Sequence, residues 1–119
     1  MPTTRILAID PGSRITGFGI IDIVNGKSVY VNSGCIRLPD EALSVRLKHI
    51  FQNVSALLDE YKPNEFAIEE VFLAKNANSA LKLGQARGAA IVAASIQELT
   101  VHEYAARRVK QSVVGNGNA

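Results

Sequence analysis

The feature that most limits the fold of this chain is a short apolar run, Ile6-Leu7-Ala8-Ile9, that ends in Asp10-Pro11-Gly12-Ser13. A continuous apolar run of this length reads as a strand covered on both faces. Proline and glycine directly after it demand a tight turn. A carboxylate is therefore held at the tip of a buried strand. Phe66-Ala67-Ile68-Glu69 repeats the arrangement much later in the chain. Apolar residues make up 47% of the 119, which predicts one globular domain over residues 1–119 that buries roughly two thirds of its unfolded surface.

The other elements follow from pattern. Gly17 to Ile23 reads as a second strand, Asn25-Gly26 as a hairpin turn, and Ser28 to about Ile36 as a third strand. Leu47, Ile50, Phe51, Val54, Leu57, Leu58 and Tyr61 recur at helical spacing, and Pro63 ends that helix. Glu65 to Glu69 is a short strand expected to pair parallel with the first, as right-handed crossovers do. A long helix over about Asn76 to Gln97 carries Ala80, Gly84 and Gly88 four residues apart. Such small residues suit close helix approach, either on the chain's own sheet or at a subunit interface. Thr100 to Tyr104 reads as a fifth strand and Ala105 to about Val113 as a short basic helix. The order βββαβαβα gives an α/β fold with a five-stranded mixed sheet and helices on both faces.

Charge and residue usage narrow the function. Residues 1–70 hold 7 basic and 9 acidic side chains, and residues 71–119 hold 6 basic and 2 acidic, so a net −2 meets a net +4. A basic half beside a carboxylate site suits a polyanion with bound cations. Cys35 is the only cysteine, which excludes an internal disulfide and a cysteine-cluster metal site; it reads as a small buried hydrophobe in a strand. His49 reads as a helix-surface residue and His102 as a strand-end residue, both structural. No apolar run approaches the ~20 residues that span a bilayer and no signal segment opens the chain, so no membrane partner and a cytoplasmic location are expected.

In a parallel pair, the carboxyl ends of the first and fourth strands lie side by side. Asp10 and Glu69 then come within reach of one ion. Carboxylates are hard ligands suited to Mg²⁺, or Mn²⁺ in its place, and two such ions can activate water and stabilise the leaving oxygen in phosphodiester hydrolysis. Strand alternation turns Glu70 to the opposite face. Gly12, Gly17 and Gly19 match neither the phosphate-loop nor the dinucleotide pattern and read as turn geometry. Lys75, Lys82, Arg87, Arg107 and Lys110 are candidates for phosphate neutralisation. Asn76 and Asn78 are candidates for hydrogen bonds to DNA, with at least one expected to cap its helix. A strand, Asp-x-Gly turn and strand also open ATP-handling proteins of the actin and sugar-kinase type, but their second phosphate motif and second lobe are not seen.

Ile9-Asp10-Pro11-Gly12-Ser13-Arg14-Ile15-Thr16-Gly17-Phe18-Gly19, Phe66 to Phe72, and above all Ala74-Lys75-Asn76-Ala77-Asn78-Ser79-Ala80-Leu81-Lys82-Leu83-Gly84-Gln85-Ala86-Arg87-Gly88 resemble the motifs of the RuvC Holliday-junction resolvases. Glu103 to Gln111 and Val113-Val114-Gly115 continue the likeness. The resemblance implies a ribonuclease-H-like fold and a homodimer, with Ala80, Gly84 and Gly88 at its interface. It also implies paired metal-dependent nicks in four-way junction DNA during recombination and repair, and the RuvA–RuvB branch-migration complex as partner. Asp10 and Glu69 match the first two of four family acids, Phe72 an aromatic that stacks at the junction centre, and Lys110 a residue that handles DNA. The other two acids belong to a final helix beyond Ala119. The expectation is thus a C-terminally incomplete domain with impaired cleavage, a bare apolar strip on the sheet, and a non-catalytic junction-binding module as the alternative.

Overall fold

The structure, a computed structural model, describes residues 3–70 and 76–104. β1 (Thr4–Asp10), β2 (Ile15–Val24) and β3 (Lys27–Arg37) form an antiparallel meander. The helix α1 (Leu43–Tyr61) then crosses to β4 (Glu65–Glu69), and α2 (Ala77–Ile96) crosses to β5 (Val101–Tyr104). The sheet runs β3-β2-β1-β4-β5, with β4 parallel to both β1 and β5. This is the mixed five-stranded sheet expected from the sequence. The expected helix over 105–113 lies outside the described residues.

Local chemistry explains the joints. Asn25 (φ 53°) and Gly26 (φ 78°) take the two positive-φ positions of a tight hairpin. α1 closes at Lys62, which is left-handed (φ 46°) and donates its N–H to Leu58 O at 2.9 Å; Pro63 follows. α1 begins at Leu43, four residues before the first residue of its apolar pattern, Leu47, and its N-cap Ala42 gives no side-chain cap. A start without a capping side chain leaves no sequence signal.

Both described helices cover one face of the sheet. Leu7, Ile9, Ile20, Phe66 and Ile68 pack there with Ile50, Val54 and Leu58 of α1 and with Ala86, Ala90, Ala93 and Ala94 of α2. The alanine face lets α2 lie close to α1. On the opposite face Ala8 and Ala67 are buried, flanked by Ile6 and Tyr104, and Ile21 is buried as well. At these positions the apolar face expected to be bare is buried. Cys35 also departs from expectation: it is exposed, since it lies on the edge strand and alternates away from Gly34 and Ile36, which face Phe18 and the core.

One ion pair ties the amino end of β1 to two other elements. Arg5 donates to both carboxylate oxygens of Asp22, at 2.8 and 3.0 Å, and to Tyr61 O at the end of α1, at 3.2 Å. The guanidinium holds the Asp22 carboxyl below its usual pKa, chiefly through the hydrogen bond, against the opposing effect of burial. A lowered folded-state pKa gives stability that is fully present above the unfolded value, about 3.9, and is lost as pH falls through the folded value. Asp22→Asn should cost about 1 kcal/mol at pH 7, given the partial exposure of Arg5. The deficit against the unsubstituted chain should shrink in denaturant melts below about pH 4.

Candidate metal centre and nucleic-acid face

Parallel pairing aligns Ile6 with Glu65, Leu7 with Phe66, Ala8 with Ala67 and Ile9 with Ile68. One residue further in this register stand Asp10 and Glu69, each the last residue of its strand. Both lie two residues beyond the buried Ala8–Ala67 pair, so both project from the face opposite the helices. Neighbouring strands run about 4.8 Å apart, close enough for two such carboxylates to share a small cation. Glu69 is only 9% exposed, while Asp10 is half-buried at the rim.

The turn after Asp10 is built for close approach. A Cβ on Gly12 would collide with Ile15 O; backbone, not a flexible side chain, closes the space. Thr16 is fully buried. Its hydroxyl accepts from the Gly12 N–H at 3.3 Å and donates to Gly12 O at 3.0 Å. Arg46 of α1 donates to Ser13 O at 3.3 Å, and Leu38 N–H donates to Arg14 O at 2.9 Å. Thr16 and Arg46 were not singled out in the sequence. Thr16 sits in the opening motif, where no pattern marks a hydroxyl that bonds back to the turn, and no spacing rule links Arg46 to Ser13.

Two hard oxygen ligands fit Mg²⁺, which commonly takes one or two carboxylates and completes its shell with water and substrate phosphate. Among the described residues, no group of three or more His, Cys, Asp or Glu forms a larger cluster. Glu70 lies beyond the strand, its N–H donating to Tyr104 O at 2.7 Å.

The crossover from β4 starts α2 at the same sheet end as the acids. Asn76 caps α2, its side chain accepting from Ser79 N–H at 2.9 Å; Asn78 is exposed in the first turn and Lys82 is half-buried. Arg87 is ion-paired with Glu103, so its charge already has a partner. Ala80 and Gly84 are exposed and Gly88 is half-buried, and among the described residues nothing comes within 4 Å of a Cβ built on either glycine. This stripe therefore does not pack on the described sheet. Phe72, Lys75, Arg107 and Lys110 lie outside the described residues.

The profile of the family described as "Crossover junction endodeoxyribonuclease RuvC" matches residues 6–119. Proteins of that name from Pseudoalteromonas atlantica and Shewanella piezotolerans are 65% and 60% identical over 114 residues, 96% of this chain and 66% of theirs. The chain thus spans just under two thirds of these relatives. Among solved structures, "T. thermophilus RuvC in complex with Holliday junction substrate" superposes with a TM-score of 0.79 at 28% identity, over 91% of this chain and 68% of that one.

Thr16→Val keeps the shape but strands the N–H and C=O of Gly12, and should cost about 2 kcal/mol in denaturant unfolding. Gly12→Ala, which must push Ile15 O aside, should cost at least as much as Thr16→Val in the same measurement.

Proposed function

The chain belongs to the family of the crossover junction endodeoxyribonuclease RuvC, and from that premise we propose that it serves a nuclease that nicks four-way DNA junctions with the help of a divalent metal. The observation that carries this reading is the register that ends β1 and β4 on Asp10 and Glu69. Mg²⁺, or Mn²⁺ in its place, would be held by these two carboxylates and would polarise the scissile phosphate and activate water.

The chain's own residues supply the rest. Asp10 and Glu69 place negative charge at the rim of a rigid sheet. The Thr16 hydroxyl and Arg46 fix the turn that carries Asp10. At the same sheet end, Asn78 and Lys82 are available for sugar and phosphate contacts, which position DNA without reading its sequence. Asn76 and Arg87 are assigned to the helix cap and the Glu103 pair, and reach DNA only by leaving them. Phe72 enters by family likeness as the aromatic that stacks on an opened junction, and Lys75, Arg107 and Lys110 as phosphate contacts.

A homodimer through α2 belongs to the same proposal. Ala80, Gly84 and Gly88 offer a flat strip, bordered by Leu81 at 66%, Val92 at 50% and Ile96 at 65% exposure. Family likeness adds the RuvA–RuvB complex as the assembly that delivers the junction and the bacterial cytoplasm as its place. No described helix is long and apolar enough to cross a membrane. Leu81→Glu should shift the sedimenting species from dimer to monomer while the far-UV circular dichroism of the fold is kept, because Leu81 is 66% exposed in the single chain.

A second reading, a junction-binding module without cleavage, draws on the two-carboxylate count among the described residues. End-labelled four-way junctions on native and denaturing gels separate the two. The chain should shift junction at lower concentration than linear duplex. Nicks that need Mg²⁺ should fall about a hundredfold or more in Asp10→Asn and Glu69→Gln while the shift survives. Unchanged nicking in Asp10→Asn would refute the metal assignment, and junction shift without any nick would favour the binding module.

A further inference from the structure

One residue on the carboxylate face has no assigned part in the site. β4 pairs with β5 so that Ala67 aligns with His102, Ile68 with Glu103 and Glu69 with Tyr104. Tyr104 thus extends the row that Asp10 and Glu69 begin, on the next strand and the same face. Tyr104 is half-buried and packs against the Ala8–Ala67 pair, the two residues directly behind the acids on that face. Its carbonyl accepts from the Glu70 N–H at 2.7 Å, joining the ends of β4 and β5. Glu69, at 9% exposure, stands between Asp10 on one side and Tyr104 on the other.

We propose that Tyr104 is a positioning residue of the metal centre, its ring walling the β5 side of Glu69 so that the carboxylate is held toward Asp10 and the cation. The inference rests on the metal-centre reading of Asp10 and Glu69. The alanine pair supplies the room: larger side chains at 8 and 67 would lift the ring off the sheet. With the ring seated, the flexible glutamate cannot swing toward β5, and water is kept from its flank. Groups that orient a ligand from behind commonly set metal affinity by ten- to a hundredfold.

Titration calorimetry with Mn²⁺ on the whole chain tests the proposal at a temperature where every variant is folded. Tyr104→Ala should weaken Mn²⁺ binding about tenfold, and Tyr104→Phe should stay within about twofold of the unsubstituted chain, since it keeps the ring. Asp10→Asn is the control for the site and should abolish binding. Mn²⁺ should also broaden the ring resonances of Tyr104 before those of Tyr30 and Tyr61. Should Tyr104→Ala not fold, Tyr104→Leu carries the test, with weakened binding expected. Unchanged affinity in the alanine or leucine variant, or a loss in the phenylalanine variant equal to that in alanine, overturns the role given to the ring while Asp10→Asn still fails to bind. No Mn²⁺ binding by the unsubstituted chain, or full binding by Asp10→Asn, overturns the metal centre and this proposal with it.

Discussion

The parallel pairing of β1 with β4 is the constraint on which the rest depends. Leu7 and Ile9 on one strand, Phe66 and Ile68 on the other, are all fully buried against the helices. Side chains alternate along a strand, so a one-residue slip of either strand would turn its two core residues out and bring its alanine and its acid in. Burial of those two large apolar groups, each worth about 1.5–3 kcal/mol, opposes that slip. The same energy fixes Asp10 beside Glu69. The alignment of the acids is thus a by-product of the core and needs no attractive contact between two like charges.

That dependence explains why the two acids were legible in the sequence. Their positions follow from two apolar runs that end in a carboxylate, and from a helical pattern between them that forces a crossover. The hairpin at Asn25-Gly26 and the stop at Pro63 are equally local signals. Other features are not local. Whether Cys35 is buried depends on β3 being the edge of the sheet, which only the strand order reveals. Which small-residue face of α2 turns inward depends on α1: Ala86, Ala90, Ala93 and Ala94 form one candidate stripe and Ala80, Gly84 and Gly88 another, and periodicity alone cannot choose. The bonds from Thr16 to Gly12 and from Arg46 to Ser13 join side chains to backbone in ways that hydropathy does not encode.

The two faces of the sheet carry separate duties. The helix face holds the bulk of the core and sets register. The opposite face has short side chains at its centre, Ala8 and Ala67, directly behind the carboxylates. Short residues there keep the acids' surroundings low and firm, since alanine has no rotamers to reorganise. The turn after β1 is fixed by the hydrogen bonds of Thr16 and Arg46 around the buried Pro11. On the proposed metal reading, carboxylates held this way would lose little entropy on meeting a cation.

The composition of α2 makes sense only if both its faces are counted. Gly84 and Gly88 each cost about 1 kcal/mol relative to alanine inside a helix. Among the described residues nothing offsets that cost: a Cβ at either site would meet no atom within 4 Å. The inward alanines already give α1 its close approach, so the glycines are not needed for the core. Leu81, Val92 and Ile96 meanwhile leave apolar surface in water along the same side. A helix that accepts both penalties is poorly suited to solvent and well suited to a second helix, whose backbone would fill the space above the glycines and cover the three apolar side chains.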